Sequence, residues 1–303
     1  MKRKLFPLLL TTTAILPALL TGTARGQGTP SPADNAPVTA AVATASGPAK
    51  GSLVIVGGGA IGDDIWTRFI ELAGGKEARI VLVPTAAEDG GWDADKSVEA
   101  FRKRGAKEVV FLHTRDPKKA DTDEFIEPLK SATGVWFGGG RQWRIADAYL
   151  GTKTQRAFES VLERGGVIGG TSAGATIQGS FLVRGDTKGN ELLIGDHIRG
   201  FGYLRNVAID QHLLRRNRQF DLISVIEAHP ELLGIGIDEG TAVVVQGNTF
   251  EVIGPSYVAI YDGQKWKAAA TDGSPGLVGR FTLLSKNNRF DLATRKIIEP
   301  PKP

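Results

Sequence analysis

The sequence predicts an α/β fold, a three-layer sandwich in which helices cover both faces of a mostly parallel sheet. Short apolar runs alternate with amphipathic stretches from Ser52 onward, which is the rhythm of strand–helix–strand units. The chain of 303 residues is 41% apolar and carries 39 glycines without a three-residue period, which indicates a large core with many tight turns. It contains no cysteine, which excludes disulfide frameworks, thiolate metal sites and cysteine nucleophiles.

The apolar runs and the amphipathic stretches between them place the individual elements. Expected strands lie at residues 53–56, 80–83, 108–112, 134–137 and 166–168. Expected helices lie at residues 63–72, 94–104 and 154–164. Gly-Asn and Asp-Gly turns separate further apolar runs, which predict a β-rich C-terminal part packed on the same domain; these runs lie at residues 242–245, 250–253 and 257–261.

The N-terminus predicts export. Three basic residues at positions 2–4 precede an apolar stretch and then small residues, which is the three-part pattern of a signal peptide over residues 1–24. The apolar stretch is shorter than the ~20 residues that span a bilayer, so we expect cleavage and a periplasmic or extracellular location. Residues 25–51 are small and polar, which predicts a flexible leader, and residues 52–303 are expected to form a single domain.

The charge balance and the histidines exclude several kinds of ligand. The formal charge is +4, and signal cleavage would remove three positive and no negative charges, so +4 − 3 leaves +1. A nearly neutral chain lacks the electrostatic footprint of a protein that binds nucleic acid or an anionic membrane. The four histidines form no HxxxH or HExxH array, and we expect neither a metal nor an organic cofactor.

A glycine-rich run at residues 57–62 matches GxGxxG between an expected strand and an expected helix, the context of a dinucleotide-binding turn. The second strand, however, ends in Pro84 and Thr85 where an acidic residue would bind a ribose, and Asp63 and Asp64 would repel a pyrophosphate. We therefore favour a tight turn whose glycines relieve crowding. A dinucleotide-dependent oxidoreductase is kept as an alternative.

A nucleophile elbow is the strongest motif of the chain. Residues 170–174 read Gly-Thr-Ser-Ala-Gly after the fifth expected strand, which matches G-x-S-x-G. Small residues flank Ser172 because a sharp strand-to-helix turn holds the serine in a strained conformation with its hydroxyl exposed. The same turn aims the backbone N–H of Ala173 at the oxygen of a tetrahedral intermediate. Ser172 is therefore the candidate nucleophile.

The candidate general base is His212, which follows an expected strand, because strand ends gather catalytic side chains in such folds. His197 is the reserve, and the other two histidines are expected to be structural. The carboxylate that orients the imidazole is expected at Asp238 or Glu239. Adjacent residues of an extended chain point to opposite sides, so only one of these two carboxylates can face the site.

Five co-linear motifs resemble those of the cyanophycinases, serine peptidases related to the bacterial aspartyl dipeptidases. In chain order, the motifs lie at residues 138–142, 169–175, 210–212, 234–239 and 289–295. The resemblance covers residues 53–298 and implies a fold similar to that of class I glutamine amidotransferases. It implies an exopeptidase or dipeptidase that cleaves cyanophycin or related β-aspartyl or acidic peptides through an acyl-enzyme.

Carried over by position, the resemblance assigns a role to each site residue. It implies Ser172 as nucleophile, His212 as base and Glu239 as the acid of a triad. It implies a second oxyanion donor on the backbone of Gly139 and Gly140. The positions implied to line the substrate pocket are Gln142, Asp210, Gln211, Arg216 and Arg218.

One pocket position departs from the family pattern. Cyanophycin-cleaving members carry a further arginine three residues after the second pocket arginine, where this chain has Asp221. The expected partner is a peptide or cyanophycin-like substrate, and a homodimer is left open. A catalytically silent peptide-binding protein on the same fold is the remaining alternative.

Overall fold

The structure is a computed structural model that describes residues 44–189, 191–269 and 279–299. All of these residues belong to one compact unit, residues 42–303. The expected signal peptide and the first part of the expected leader lie outside the described residues. Among the helices that are described, none is long and apolar enough to cross a membrane.

The described residues form fourteen strands and nine α-helices. The strands are β1 (Ser52–Val56), β2 (Arg79–Val83), β3 (Glu108–Phe111), β4 (Gly134–Phe137), β5 (Val167–Thr171), β6 (Gly179–Phe181), β7 (Leu204–Gln211), β8 (Leu233–Ile237), β9 (Ala242–Gln246), β10 (Thr249–Ile253), β11 (Val258–Asp262), β12 (Thr282–Leu284), β13 (Arg289–Asp291) and β14 (Lys296–Ile298). The helices are α1 (Asp63–Leu72), α2 (Ala94–Lys103), α3 (Pro117–Ala120), α4 (Glu127–Ser131), α5 (Gln142–Tyr149), α6 (Lys153–Glu163), α7 (Ala173–Thr176), α8 (Asp221–Ala228) and α9 (Gly263–Ala269).

In the described part of the chain, the main sheet has nine strands in the order β14-β13-β10-β9-β1-β5-β4-β2-β3. The five strands from β1 to β3 in this order pair in parallel, as strand–helix alternation predicts. Strands β9, β10, β13 and β14 extend it in antiparallel fashion. The α/β class is confirmed, and the expected β-rich C-terminal part supplies the antiparallel strands of this mixed sheet, because the tight turn between β9 and β10 joins only antiparallel neighbours.

The described residues also form a second sheet, with the strand order β12-β11-β8-β7-β6. The sequence did not predict that these strands form a sheet of their own. Its strands β6, β7 and β8 are parallel, so β7 and β8 end at the same edge. His212 and Glu239 follow these two strand ends. The His212 N–H donates to the Gly57 carbonyl at 2.9 Å, and the Gly57 N–H donates to the Thr241 carbonyl at 3.0 Å. These bonds tie the end of β7 and the segment between β8 and β9 to the end of β1.

Different partners bury the two faces of the main sheet. Leu53 and Ile55 of β1 belong to a core that includes residues of α5, α6 and the second sheet. Val54 and Val56 belong to a core that includes residues of α1 and α2. Alternate side chains of a strand point to opposite faces, so burial on both sides explains why β1 is an uninterrupted apolar run.

Residues 44–51 pack on the domain, which corrects the expectation of a flexible leader up to residue 51. Ser46 and Arg205 exchange backbone hydrogen bonds of 3.1 and 2.8 Å. Ala45 is fully buried. Backbone pairing does not require large side chains, so a segment poor in apolar residues can still be ordered against a neighbouring strand.

Candidate active site

Ser172 lies in a sharp turn between β5 and α7. Its backbone has φ 56° and ψ −112°, a combination that side-chain-bearing residues rarely adopt. The Ser172 N–H donates to the Val56 carbonyl at 3.1 Å, which anchors the turn to the end of β1. The serine therefore lies at the carboxyl edge of the parallel strands, where side chains from neighbouring strand ends meet.

Three side chains form a hydrogen-bonded chain at this edge. The Ser172 Oγ and His212 Nε2 atoms are 2.9 Å apart, and the His212 Nδ1 and Glu239 Oε1 atoms are 2.5 Å apart. A carboxylate only accepts, so Nδ1 carries the proton and Nε2 is left to accept from the serine hydroxyl. His212 is buried and Glu239 partly buried, which limits competition from water.

The surroundings of His212 favour the neutral imidazole. Burial is the largest influence and lowers the His212 pKa, and the hydrogen bond to Glu239 opposes it by raising the pKa. The positive charges of Arg216 and Arg218 lower the pKa again. The pKa is lowered below its ordinary value of 6.5, so Nε2 is free to accept a proton near neutral pH.

The two adjacent carboxylates point in different directions, as the sequence requires. The Asp238 Oδ1 atom accepts hydrogen bonds of 2.9 Å from the backbone N–H groups of Leu214 and Arg215. Its Oδ2 atom accepts from the Ser256 hydroxyl at 2.6 Å. Asp238 therefore holds the turn that follows His212, and Glu239 is the carboxylate that contacts the imidazole.

The glycine-rich run at residues 57–62 packs directly against this chain of side chains. Gly58 has φ 121°, and a Cβ there would lie 2.3 Å from the His212 ring. Gly59 has φ 67°, and a Cβ there would lie 2.6 Å from a Glu239 carboxylate oxygen. Both positions need glycine because of their backbone conformation and this close approach. The space in which a dinucleotide pyrophosphate would meet these glycines is filled by His212 and Glu239.

The backbone next to Ser172 carries candidate donors for an oxyanion. Gly139 lies beside the serine, since a Cβ on Gly139 would be 3.5 Å from the Ser172 Cβ. Gly140 packs on the Ala86 carbonyl, and Ala173 is the buried first residue of α7. Within the described residues, the N–H groups of Gly139, Gly140 and Ala173 donate no hydrogen bond to the protein. They are therefore candidates to bind a developing negative charge.

A buried ionic cluster lies at the end of β7. Asp210 is fully buried and accepts from Arg184 Nε at 3.0 Å and from Arg184 Nη2 at 3.2 Å. Arg184 also pairs with Asp221. The Arg218 Nη1 atom lies 3.8 Å from Asp210 Oδ1. Asp221, where the resemblance implies a further arginine in cyanophycin-cleaving members, therefore pairs with a guanidinium supplied by another segment of this chain.

Of the other predicted pocket residues, some form hydrogen bonds within the protein and one is exposed to solvent. Arg218 donates to the Gln211 side chain at 3.0 Å and to its carbonyl at 3.1 Å. Gln142 is fully buried, and its amide donates to the carbonyls of Arg184 and the preceding residue at 3.0 and 2.7 Å. The Gln142 amide thus faces the segment that carries Arg184. The resemblance, in contrast, implied that Gln142 lines the substrate pocket. Arg216 is exposed.

Comparison with known proteins places the chain in a family. Residues 53–253 match peptidase family S51. The sequence is 33% identical over 261 residues to the cyanophycinase of Geminocystis herdmanii (strain PCC 6308), covering 82% of this chain and 96% of that protein. It is 32% identical over 268 residues to the cyanophycinase of Trichormus variabilis (strain ATCC 29413 / PCC 7937), covering 82% and 88%. The chain belongs to peptidase family S51.

Solved structures agree with this assignment. A peptidase from an acI-B1 actinobacterium is 25% identical and superposes with a TM-score of 0.56, covering 80% of this S51 peptidase and 97% of that chain. A putative peptidase E protein from Listeria monocytogenes EGD-e, 18% identical with a TM-score of 0.50, covers 69% and 100% and supports the fold. The family and its cyanophycinase relatives make this chain a serine-type peptidase.

The remaining histidines of this S51 peptidase have polar neighbours other than Ser172, and His229 Nδ1 lies 3.6 Å from a Glu231 carboxylate oxygen. His197 Nε2 is 2.7 Å from Asp147, and its Nδ1 is 3.2 Å from Asp196, so the reserve base is engaged away from Ser172. His113 shares a 3.0 Å hydrogen bond with a threonine hydroxyl. His229 follows the last residue of α8.

Proposed function

We propose that this S51 peptidase hydrolyses cyanophycin or related β-aspartyl or acidic peptides through a Ser172, His212 and Glu239 triad. The observation that carries the proposal is the hydrogen-bonded chain from serine to imidazole to carboxylate, built on a strained serine turn. Free backbone N–H groups beside the serine supply the electrostatic part of such a mechanism. These features argue against a catalytically silent binding protein, which needs none of them.

The proposed reaction has two steps, acylation of Ser172 and hydrolysis of the acyl-enzyme. Ser172 Oγ attacks the amide carbonyl while His212 Nε2 takes the hydroxyl proton, and Glu239 stabilises the imidazolium. The carbonyl oxygen becomes an oxyanion held by the N–H groups of Ala173 and of Gly139 or Gly140. The C–N bond then breaks as His212 returns the proton to the leaving amine. Water then attacks the ester carbonyl as His212 takes its proton, the bond from this carbon to Ser172 Oγ breaks, and His212 returns the proton to Oγ.

The charges around the turn after β7 support an acidic substrate. Arg216 is exposed and Arg218 is partly accessible, so both guanidinium groups can bind carboxylates. Arg184, Arg216 and Arg218 carry three positive charges against the two negative charges of Asp210 and Asp221, so one positive charge remains for a substrate carboxylate. The names of the cyanophycinase relatives favour the same substrate class. The signal-peptide pattern of residues 1–24 supports action after export.

A peptide panel together with active-site labelling tests this function. We expect the purified protein to cleave at least one of cyanophycin, β-Asp-Arg, β-Asp-Lys and α-Asp dipeptides, with products identified by mass spectrometry. A fluorophosphonate should label Ser172, because a serine activated by a neighbouring base attacks phosphorus. Labelling without cleavage of any acidic peptide would contradict the substrate class. Absence of both would favour a silent binding protein.

The pH dependence of kcat/KM is expected to report the lowered His212 pKa. His212 must be neutral to accept the serine proton, so activity should fall as pH drops through a pKa below 6.5. Arg216→Ala removes a positive charge that disfavours the imidazolium, so the acidic limb should move to higher pH, and less so at high salt. Arg215→Ala is the matched control from the same exposed turn. A limb that moves to lower pH in Arg216→Ala would reject His212 as the base.

A further inference from the structure

A cavity of about 300 Å³ opens beside the serine turn and takes no part in the mechanism above. Its walls come from α1, α2, the ends of β2, β3 and β4, and the segment before α2. Its lining includes the side chains of Trp66, Trp92, Phe101, Phe111 and Trp136 and the backbone of Gly139. We call it the aromatic cavity.

The lining of the aromatic cavity is largely apolar, with Ser97 as its one hydroxyl side chain, and carries no charged side chain. Five of its residues are aromatic, and three of these rings pack on one another: the Trp66 ring centroid is 4.5 Å from that of Trp136 and 5.0 Å from that of Phe101. Trp136 and Phe101 are buried, whereas Trp66 and Trp92 are half-buried and form the accessible wall. An ion buried there would have no oppositely charged side chain to pair with, whereas an apolar group would pack against the aromatic rings.

The position of the cavity relates it to the candidate site. Gly139 belongs to its lining and also lies beside Ser172, so the cavity is continuous with the proposed oxyanion backbone. His212 contacts Ser172 from the second sheet and leads into the turn that carries Arg216 and Arg218. Ser172 thus lies between a cationic turn on one side and an uncharged aromatic cavity on the other.

We propose that the aromatic cavity binds a large apolar side chain, preferably an aromatic ring, of the substrate residue next to the aspartyl residue. The inference rests on the proposed function and deepens it, because it predicts a preference for acidic peptides that also contain a large apolar residue. The volume suits one side chain, since binding pockets begin at about 300 Å³. Aromatic walls favour an aromatic occupant through edge-to-face contacts in addition to burial.

The test measures binding to the Ser172→Ala protein, which does not depend on turnover. Calorimetric titrations compare β-Asp-Phe with β-Asp-Gly, and Phe-β-Asp-Gly with Gly-β-Asp-Gly, so that either neighbour of the aspartyl residue is sampled. We expect the phenylalanine peptide of one pair to bind about 10-fold or more tightly than its glycine partner. Equal binding within both pairs, or binding by none of the four peptides, would overturn the proposal.

Variants of α2 show whether the preference comes from this cavity. Ala100→Leu, in the Ser172→Ala background, fills the cavity and should remove the preference for phenylalanine without changing the affinity for the glycine peptide. Ala94→Leu, the same change on the exposed start of α2, is the matched control and should change neither. If Ala100→Leu prevents folding, Trp92→Ala removes an accessible wall and should also reduce the preference.

The outcomes separate this inference from the proposed function. If Ala100→Leu raises the melting temperature and leaves the preference intact, the cavity is a packing gap and the inference is wrong. If the wild-type protein cleaves acidic peptides with no preference for an apolar neighbour, the proposed function stands and the subsite does not. If the preference for phenylalanine appears in binding while wild-type turnover is absent, the subsite stands and the proposed hydrolysis fails.

Discussion

Replacing Ser172 with alanine is expected to abolish peptide hydrolysis, lowering kcat by about 10⁴-fold or more. The change removes the Oγ atom that lies 2.9 Å from His212 Nε2 and leaves the backbone of the turn unchanged. The circular dichroism spectrum and melting temperature should therefore stay close to those of the natural protein. Steady-state kinetics on the best peptide of the panel measures the loss. Retention of a tenth of the activity would show that another group is the nucleophile.

Ser172→Gly provides a control that separates the chemical role of this residue from its conformation. Alanine keeps a Cβ at φ 56°, whereas glycine tolerates that backbone. Both variants should be inactive, and Ser172→Gly should be more stable than Ser172→Ala by about 1 kcal/mol, because relief of strain outweighs the entropy of the unfolded glycine chain. Denaturant unfolding gives the difference. A less stable glycine variant would mean that the turn stores no strain.

Glu239→Gln is expected to lower kcat on the order of 10³- to 10⁴-fold. The glutamine amide can donate to His212 Nδ1, which favours the tautomer that carries its proton on Nε2. In that tautomer Nε2 cannot accept the proton of the Ser172 hydroxyl. The amide also carries no charge to stabilise the imidazolium. Kinetics at a pH above the acidic limb measures the loss, and fluorophosphonate labelling of Ser172 should slow in parallel.

Asp238 supplies the matched control because it is the adjacent carboxylate. In Asp238→Asn the side-chain oxygen still accepts from the Leu214 and Arg215 N–H groups, and the new amide can donate to the Ser256 hydroxyl. Little activity should be lost. Asp238→Ala leaves these donors unpaired and should cost about 1–3 kcal/mol of stability. If Asp238→Asn is inactive and Glu239→Gln is active, the acid of the triad must be reassigned to Asp238.

Local patterns of the sequence determined the elements whose physical causes are local. The strand–helix alternation predicted the five parallel strands, and the spacing of small residues around Ser172 predicted the turn between β5 and α7. Such patterns work because a strand or a tight turn depends on the periodicity and size of neighbouring side chains. The position of His212 was also predicted, since it follows a recognisable strand.

Contacts between distant segments could not be predicted in this way. The residues by themselves could not decide whether Asp238 or Glu239 orients the imidazole. The alternation of side chains along an extended chain shows that the two diverge, but it does not show which one points at His212. Arg184 was missed, since a single arginine after an apolar run resembles a surface residue until Asp210, 26 positions away, is brought against it. The buried position of Gln142 likewise depends on carbonyls 41 and 42 residues distant.

The sequence by itself therefore determined the α/β class, the serine turn and which strands end near Ser172 at the carboxyl edge of the sheet. Only the tertiary structure decided that β7 and β8 form a second sheet, and that the glycines of residues 57–62 pack on His212 and Glu239 instead of on a cofactor. The physical reason is the range of the interactions. Periodicity and turn chemistry act over a few residues, whereas ion pairs, close backbone approach and cavity walls exist only after strands distant in sequence have been packed together.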